Sequence, residues 1–119
     1  MVRTILAVDD NPTDLSRMEK LLSSSGFTVT TATNGQLALD AVKRSKPDCI
    51  VMDVNMPVMD GFAATRTLRN DPNTKDIPVV LVTAKDQKAD KAWGQMLGAK
   101  GYITKPYQDN DVLNVVRGL

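Results

Sequence analysis

The sequence contains no histidine and only one cysteine among its 119 residues. Without an imidazole, the chain cannot use histidine as a general base, as a metal ligand or as a phosphoryl carrier. Cys49 has no second cysteine to pair with, and its place inside an apolar run indicates a small buried residue of a reducing compartment. Nitrogen and sulfur ligands for a metal are therefore excluded, and oxygen donors remain.

Net charge and long hydrophobic runs are lacking as well. Fifteen basic residues oppose fourteen acidic ones, and the formal charge of +1 gives no basic field for nucleic acid or anionic lipid. No segment approaches the roughly 18 consecutive apolar residues that a membrane helix requires. We expect a cytoplasmic protein without membrane insertion or nucleic-acid binding, of a length that suits one ordinary domain.

Short apolar runs alternate with stretches of helical period along the chain. The runs predict five strands: TILAV (4–8), FTVTTA (27–32), CIVMD (49–53), PVVLVT (78–83) and GYIT (101–104). Helices are predicted after each strand, from Asn11-Pro12 to Gly26, from Asn34-Gly35, from about Gly61 to Asn70, from about Gln87 to Leu97, and from about Asp109 to Leu119.

The pair Asn34-Gly35 permits two interpretations. Alone it is typical of a hairpin turn. The apolar residues that follow recur at intervals of three and four, at Leu37, Ala38, Ala41 and Val42, which favours a helix. Strands alternating with helices predict an α/β fold, with a parallel sheet covered on both faces and one domain over residues 1–119.

Charged and hydroxyl residues lie where the predicted strands end. These residues are Asp9, Asp10, Asp53, Thr83 and, within two residues of the fifth strand, Lys105. Each alone has an ordinary explanation as a turn former, a strand residue or a solvated lysine. Because ligands bind beyond the carboxyl ends of parallel strands, their joint placement favours a site.

The residue types at this edge suggest phosphoryl chemistry. Three carboxylates repel one another unless a cation enters or one of them takes up a proton. Oxygen donors suit Mg²⁺, which leaves positions open for a phosphate oxygen. Lys105 and Thr83 could then contact a phosphoryl group while Asp53 acts as the nucleophile and forms an aspartyl phosphate.

The motifs VDDNP, MDVNMPVMDG, LVTAK and YITKP, in this order and spacing, resemble those of the receiver domains of two-component response regulators. The resemblance covers essentially the whole chain. It implies a flavodoxin-like receiver fold, whose strand order 2-1-3-4-5 is carried over from the chemotaxis receiver. It also implies a phosphoacceptor that catalyses only its own phosphorylation and dephosphorylation, so it is not an enzyme in the usual sense.

The resemblance assigns roles to individual residues. Asp53 would be the phosphoacceptor, Thr83 and Tyr102 the switch pair, and Lys105 the phosphoryl-binding lysine. Mg²⁺ would be held by Asp10, Asp53, the backbone carbonyl of Asn55 and, through water, Asp9. Asn55 and Lys85 occupy positions that tune the phosphoryl lifetime in this family, and the Lys105-Pro106 peptide bond would be cis.

The phosphoryl donor must be another protein, because this chain has no histidine. The resemblance implies a histidine kinase or a histidine phosphotransfer domain, which would dock near Met18 and Pro106. Phosphorylation would change the surface formed by the fourth helix, the fifth strand and the fifth helix. With no output domain expected, a monomer would either bind a downstream motility protein or drain phosphate from a shared kinase.

The stretch TAKDQKADKAWGQMLGAKGYITKP shows a narrower resemblance, to the PilH-like stand-alone receivers of the chemosensory system for type IV pili and twitching motility. Flagellar-type chemotaxis or another two-component system is the alternative pathway. Trp93, at helical spacing with Met96 and Leu97, is expected in the core or half-buried rather than as a docking residue.

Three other functions fit the architecture. In a flavodoxin-like flavin carrier, the loop after the first strand must cradle an anion, but here it reads DDNPTD and repels phosphate. An aspartyl-phosphate phosphatase of the haloacid dehalogenase type carries its nucleophile on the first strand, whereas Asp53 lies on the third. A receiver without chemistry would not need the intact set of Asp10, Asp53, Thr83 and Lys105.

Overall fold

A computed structural model describes residues 2–84 and 88–119. Strands and helices alternate in the order β1 (Thr4–Val8), α1 (Pro12–Ser24), β2 (Thr28–Ala32), α2 (Gly35–Arg44), β3 (Cys49–Met52), α3 (Gly61–Asn70), β4 (Val79–Thr83), α4 (Lys88–Met96), β5 (Gly101–Thr104) and α5 (Asp109–Arg117). The predicted alternation is confirmed. Gln87, the expected start of the fourth helix, lies outside the described residues.

The five strands form one parallel sheet in the order β2-β1-β3-β4-β5, which confirms the expected flavodoxin-like receiver topology. The strand order reverses at β1, which has β2 on one side and β3 on the other. The register pairs Val8 with Met52, so the residues that follow these two strands leave the sheet side by side. This is the edge at which doubly wound sheets bind ligands.

Helices pack on both faces of the sheet, and the core has two corresponding clusters. Successive side chains of a strand point to opposite faces. Leu6, Ile50 and Leu81 therefore join the cluster under α2 and α3, whereas Ile5, Val51 and Val80 join the cluster under α1 and α5. Burial on both faces explains why β1, β3 and β4 are continuously apolar.

Asparagine side chains cap the first two helices. The side chain of Asn11 accepts hydrogen bonds from the N–H groups of Thr13 and Asp14, with Pro12 at the first helical position. The side chain of Asn34 accepts one from the N–H of Leu37 at 2.8 Å, which confirms the helix at Asn34-Gly35 and excludes the hairpin.

Several apolar residues in or just after the helices are exposed. Leu119 follows the end of α5 at Arg117 and is 38% exposed, and Leu113 fills the core instead. On α2, Leu37 is 46% exposed. The expectation that Trp93 is in the core or half-buried was wrong, since this residue is 44% exposed, and Met96 on the same helix is 76% exposed.

The α4 residue that faces the sheet is a glycine. A Cβ on Gly94 would lie 3.1 Å from Cδ2 of Tyr102 and 3.3 Å from Cδ1 of Leu81. The Tyr102 ring therefore occupies the space that a larger α4 side chain would fill, and Trp93 is turned outward. Within residues 2–84 and 88–119, every helix is too short or too polar to cross a bilayer.

Candidate active site

Three carboxylates converge where β1 and β3 end. Carboxylate oxygens of Asp9, Asp10 and Asp53 lie within 4.8 Å of one another. The sheet sets this spacing, because the N–H of Asp53 donates to the carbonyl of Val8 at 2.9 Å and continues the strand pairing by one residue. Asp9 and Asp53 are buried at 7% and 8% exposure, whereas Asp10 is exposed.

The two oxygens of the Asp53 carboxylate have different partners. Oδ1 accepts hydrogen bonds from the N–H groups of Val54 at 2.6 Å and Asn55 at 3.4 Å. Oδ2 accepts one from Nζ of Lys105 at 3.2 Å. These bonds fix the orientation of the carboxylate, and its buried negative charge is compensated by hydrogen-bond donors and an ammonium.

Among the described residues, Lys105 supplies the cation that contacts these carboxylates. Its backbone N–H donates to the carbonyl of Thr83 at 2.8 Å, which fixes the start of its side chain beside the end of β4. Its ammonium contacts Asp9 at 2.8 Å, Asp14 at 3.0 Å and Asp53 at 3.2 Å. Burial opposes the charged form, but hydrogen bonds to Asp9 and Asp14 and the charge of Asp53 outweigh it and raise the Lys105 pKa. The ammonium therefore stays charged over the physiological range.

Burial raises the pKa of Asp9 above its ordinary value of 3.8, although hydrogen bonds from Lys105 and from the Asn11 N–H favour the ionised form. The neighbouring charge of Asp53 acts in the same direction as burial. A nearby cation would favour the ionised form of this carboxylate. The donor set consists of carboxylate oxygens with one exposed member, Asp10, and it fits Mg²⁺, which binds few protein oxygens and keeps several waters.

The expected switch residues lie on adjacent strands. Thr83 ends β4 and is fully buried, and Tyr102 lies on β5 opposite Leu81. Thr83 shares its sheet face with Leu81, the same face on which the Tyr102 ring packs. The two residues are therefore diagonal neighbours on one face. The Lys105-Pro106 bond is cis, as expected, and Lys85 lies outside the described residues.

Two residues of this region received no role in the sequence analysis. Asp14 lies in the first turn of α1 and contacts the Lys105 ammonium. The only signal for it is its place four residues after Asp10 in a helix that starts at the sheet edge. Gly61 begins α3, and a Cβ there would lie 2.2 Å from the carbonyl oxygen of Asp53. The sequence feature that could have identified Gly61 is its place as the glycine that ends the motif MDVNMPVMDG.

A surface groove lies away from the carboxylates. It has a volume of about 960 Å³ and runs between α1 and α5, lined by Thr13, Ser16, Arg17, Lys20 and Leu21 among others. We place the chemistry at the carboxylates instead, because buried Asp9 and Asp53 are held there by backbone N–H groups and by the Lys105 ammonium, whereas the ion pair in the groove, Arg17 with Asp109 at 3.9 Å, is exposed. The groove is a surface feature beside the site.

The expected docking contact at Met18 was wrong, because this residue is 7% exposed and packs in the core under α1. The apolar repeat of α1 already indicated that Met18 faces the core. Pro106 is exposed, as a contact residue must be. The guanidinium of Arg17 lies 4.5 Å from the centroid of the Tyr107 ring and donates to the Tyr107 carbonyl at 3.1 Å, which links α1 to the loop after β5.

Comparison with known proteins agrees with the fold and with the motifs. The family model described as response regulator receiver domain matches residues 5–117. Protein PilH of Pseudomonas aeruginosa is 41% identical over 115 residues, which cover 97% of this chain and 95% of PilH. The narrower resemblance to PilH-like receivers is thereby confirmed. Several other curated relatives are longer, among them response regulator PleD of Caulobacter vibrioides, and the chain spans 26% to 50% of their length.

Solved structures give the same result. The chemotaxis response regulator CheY4 of Vibrio cholerae superposes with a TM-score of 0.91 at 30% identity, covering 99% of this chain and 98% of CheY4. The receiver domain of sensor histidine kinase PA1611 from Pseudomonas aeruginosa, with a magnesium ion coordinated in its active site cleft, gives a TM-score of 0.90 at 30% identity, covering 99% and 97% of the two chains.

Proposed function

Because the chain belongs to the response regulator receiver domain family, we propose that it accepts a phosphoryl group on Asp53. The observation that carries this proposal is the arrangement of the Asp53 carboxylate, with Oδ1 on two backbone N–H groups and Oδ2 on the Lys105 ammonium. The carboxylate is held in one orientation at an edge that also carries Asp9 and Asp10. The family match favours this function over a flavin carrier or a phosphatase.

The reaction is the transfer of a phosphoryl group from a phosphohistidine of a partner protein. An Asp53 oxygen attacks phosphorus, the new P–O bond forms as the P–N bond breaks, and the released imidazole takes a proton from water. Lys105 offers an N–H donor and a fixed positive charge to the transferred oxygens, and Thr83 contributes its hydroxyl. In this proposal Asp9, Asp53, Thr83 and Lys105 carry the chemistry.

The carboxylates also provide the metal site. Asp10, Asp53 and the backbone carbonyl of Asn55 would hold Mg²⁺ directly, and Asp9 would do so through water. When bound, Mg²⁺ offsets the negative charge on the phosphoryl oxygens. The clustered, partly buried carboxylates support this assignment, since their mutual repulsion is relieved by a divalent cation.

Phosphorylation would change the surface formed by α4, β5 and α5. It adds roughly −1.5 to −2 units of charge and new acceptor oxygens, which draw the Thr83 hydroxyl toward them. Tyr102 would then move toward the space that Thr83 leaves, since the two are diagonal neighbours on one sheet face. The ring now packs on Gly94, so its movement alters the α4 contact.

The partner would be a histidine kinase or a histidine phosphotransfer domain, which meets the chain in the cytoplasm. Exposed Arg17 and Pro106 support docking at α1 and the loop after β5. The similarity to PilH favours a chemosensory pathway for type IV pili. There the chain would act as a monomeric receiver domain that binds a motility protein or drains phosphate from a shared kinase.

Small phosphodonors test the proposal directly. With acetyl phosphate or phosphoramidate and Mg²⁺, the wild-type protein should gain one phosphoryl group by mass, and Asp53→Asn should gain none. Asp76→Asn serves as the matched control, since Asp76 lies in the loop before β4, at the opposite end of the strand from Thr83. Equal labelling of Asp53→Asn and wild type would exclude Asp53 as the acceptor.

A further inference from the structure

The ammonium of Lys105 has all of its donors engaged. An ammonium carries three N–H groups, and Nζ lies within hydrogen-bonding distance of Asp9 at 2.8 Å, Asp14 at 3.0 Å and Asp53 at 3.2 Å. A phosphoryl oxygen that binds Lys105 must therefore displace one of these three carboxylates. The identity of the displaced carboxylate decides how readily the lysine becomes available.

Asp14 differs from the other two carboxylates in position and exposure. It is not among the carboxylates within 4.8 Å of one another, which are Asp9, Asp10 and Asp53. Its side chain is 42% exposed, whereas those of Asp9 and Asp53 are each 10% exposed. Water can therefore solvate Asp14 once its bond to Lys105 breaks, at a lower cost than for either buried carboxylate.

Asp14 is also fixed on a separate element. Its backbone N–H donates to the side chain of Asn11 at 3.1 Å in the cap of α1, which holds the first turn of the helix beside the sheet edge. The Asp14 carboxylate thus reaches Lys105 from the helix, while Asp9 and Asp53 reach it from the strand ends. Asp14 therefore shares the Lys105 ammonium with Asp9 and Asp53 without being part of the cluster that we assign to Mg²⁺.

We propose that Asp14 is a positioning residue that holds the Lys105 ammonium in the resting protein and competes for it with the incoming phosphoryl group. The proposal deepens the proposed function and rests on it. Among the residues that the structure describes, four carboxylates and one ammonium carry a formal charge of −3, and a divalent cation leaves −1. Asp14 accounts for that remaining charge, so it weakens the attraction of the site for an anionic donor.

The expected effect is moderate. Asp14 is partly exposed, so its ion pair and its repulsion of the donor act through a solvent-screened environment. Asp14→Asn removes the charge but keeps a carbonyl oxygen that can accept a hydrogen bond from Lys105. We expect this variant to be phosphorylated by acetyl phosphate about three to ten times faster than wild type at low ionic strength.

The experiment measures the phosphorylation rate constant with acetyl phosphate and Mg²⁺ for wild type, Asp14→Asn, Asp14→Ser, Asp14→Glu and Asp76→Asn. Asp14→Glu keeps the negative charge, and its rate constant should be close to that of wild type. Asp76→Asn makes the same change in net charge at the far end of the sheet and should leave the rate unchanged. The gain from Asp14→Asn should shrink at high salt, because screening weakens charge effects. Urea unfolding of each variant verifies that it is folded.

The outcomes separate the two proposals. If wild type gains no phosphoryl group, the proposed function fails, and the role of Asp14 fails with it. If wild type is labelled but Asp14→Asn and Asp14→Ser react no faster than Asp76→Asn, only the role of Asp14 is overturned. An equal gain at low and high salt would also overturn it, since a purely structural effect does not depend on screening.

Discussion

Replacing Gly61 with alanine is expected to displace the backbone that carries Asp53. A Cβ at this position would lie 2.2 Å from the carbonyl oxygen of Asp53 and 2.9 Å from Cα of Val54, whereas ordinary contacts begin at 3.4 Å. Both neighbours are backbone atoms, which cannot change rotamer. The start of α3 and the loop after β3 must therefore separate by about 1 Å.

The change in the free energy of unfolding combines losses from the tight contact with a gain from replacing glycine. Overpacking of a tight contact costs about 3 kcal/mol, and the hydrogen bond from the Gly61 N–H to the Val54 carbonyl, now 2.8 Å long, weakens as the backbones separate. Replacing a helical glycine with alanine returns about 1 kcal/mol. We expect a net loss of about 2 kcal/mol in the free energy of unfolding. A shift of about 1 Å at a reacting group can also slow the phosphorylation of Asp53 by about 10²-fold.

Urea unfolding and labelling by acetyl phosphate measure the two effects, with Gly26→Ala as the control. Gly26 has a φ of +96°, and a Cβ added there would meet no atom within 4 Å beyond its two chain neighbours. The control should therefore lose about 1 kcal/mol through backbone strain alone and keep the wild-type labelling rate. Wild-type stability together with wild-type labelling in Gly61→Ala would refute the contact argument.

Two further predictions concern pH and backbone strain. Burial raises the pKa of Cys49 from 9.0 to about 12. The buried neutral thiol therefore makes its full contribution to the free energy of unfolding below pH 9, and this contribution is lost as pH rises from 9 toward 12. The stability difference between wild type and Cys49→Ala should shrink by about 1.4 kcal/mol between pH 8 and pH 10 in urea unfolding, and an unchanged difference would contradict this. Val58 has a φ of +69° and is 82% exposed, in a tight turn where the Met59 N–H donates to the Pro57 carbonyl at 2.7 Å. Val58→Asn should raise the free energy of unfolding by about 1 kcal/mol, and a loss of stability would show that the turn is not strained.

The architecture could be predicted because its signals are local. A strand buried on both faces is expected to be continuously apolar, and ILAV, CIVM and VVLV satisfy that condition. Asn34-Gly35 was decided by the spacing of the residues that follow. The strand order 2-1-3-4-5, by contrast, came from the family resemblance, because no local signal states which strand pairs with which.

The charged edge was predictable for a related reason. All five strands are parallel, so the residues that follow them meet at one edge whatever the order of the strands. Asp9, Asp10, Asp53 and Lys105 were found this way and lie together. Asp14 was missed because it is on a helix, and only the direction in which α1 leaves the sheet brings it to Lys105.

Exposure was the least predictable property. A helical repeat shows which residues share a face, but the neighbouring element decides whether that face is covered. On α4, Trp93 was expected in the core or half-buried, yet Gly94 faces the sheet because the ring of Tyr102 already fills that space. The role of Gly61 also depends on tertiary packing, because it is set by how closely α3 approaches the backbone of Asp53.

The Lys105 ammonium explains how one cluster can serve both the resting and the phosphorylated protein. At rest, Lys105 offsets part of the charge of Asp9, Asp14 and Asp53, and without it these carboxylates would repel one another. A phosphoryl group on Asp53 brings further negative charge and competes with these carboxylates for the N–H donors of Lys105. Phosphorylation in this site therefore redistributes an existing positive charge, and the carboxylates that hold Lys105 at rest set how strongly a phosphoryl group can bind.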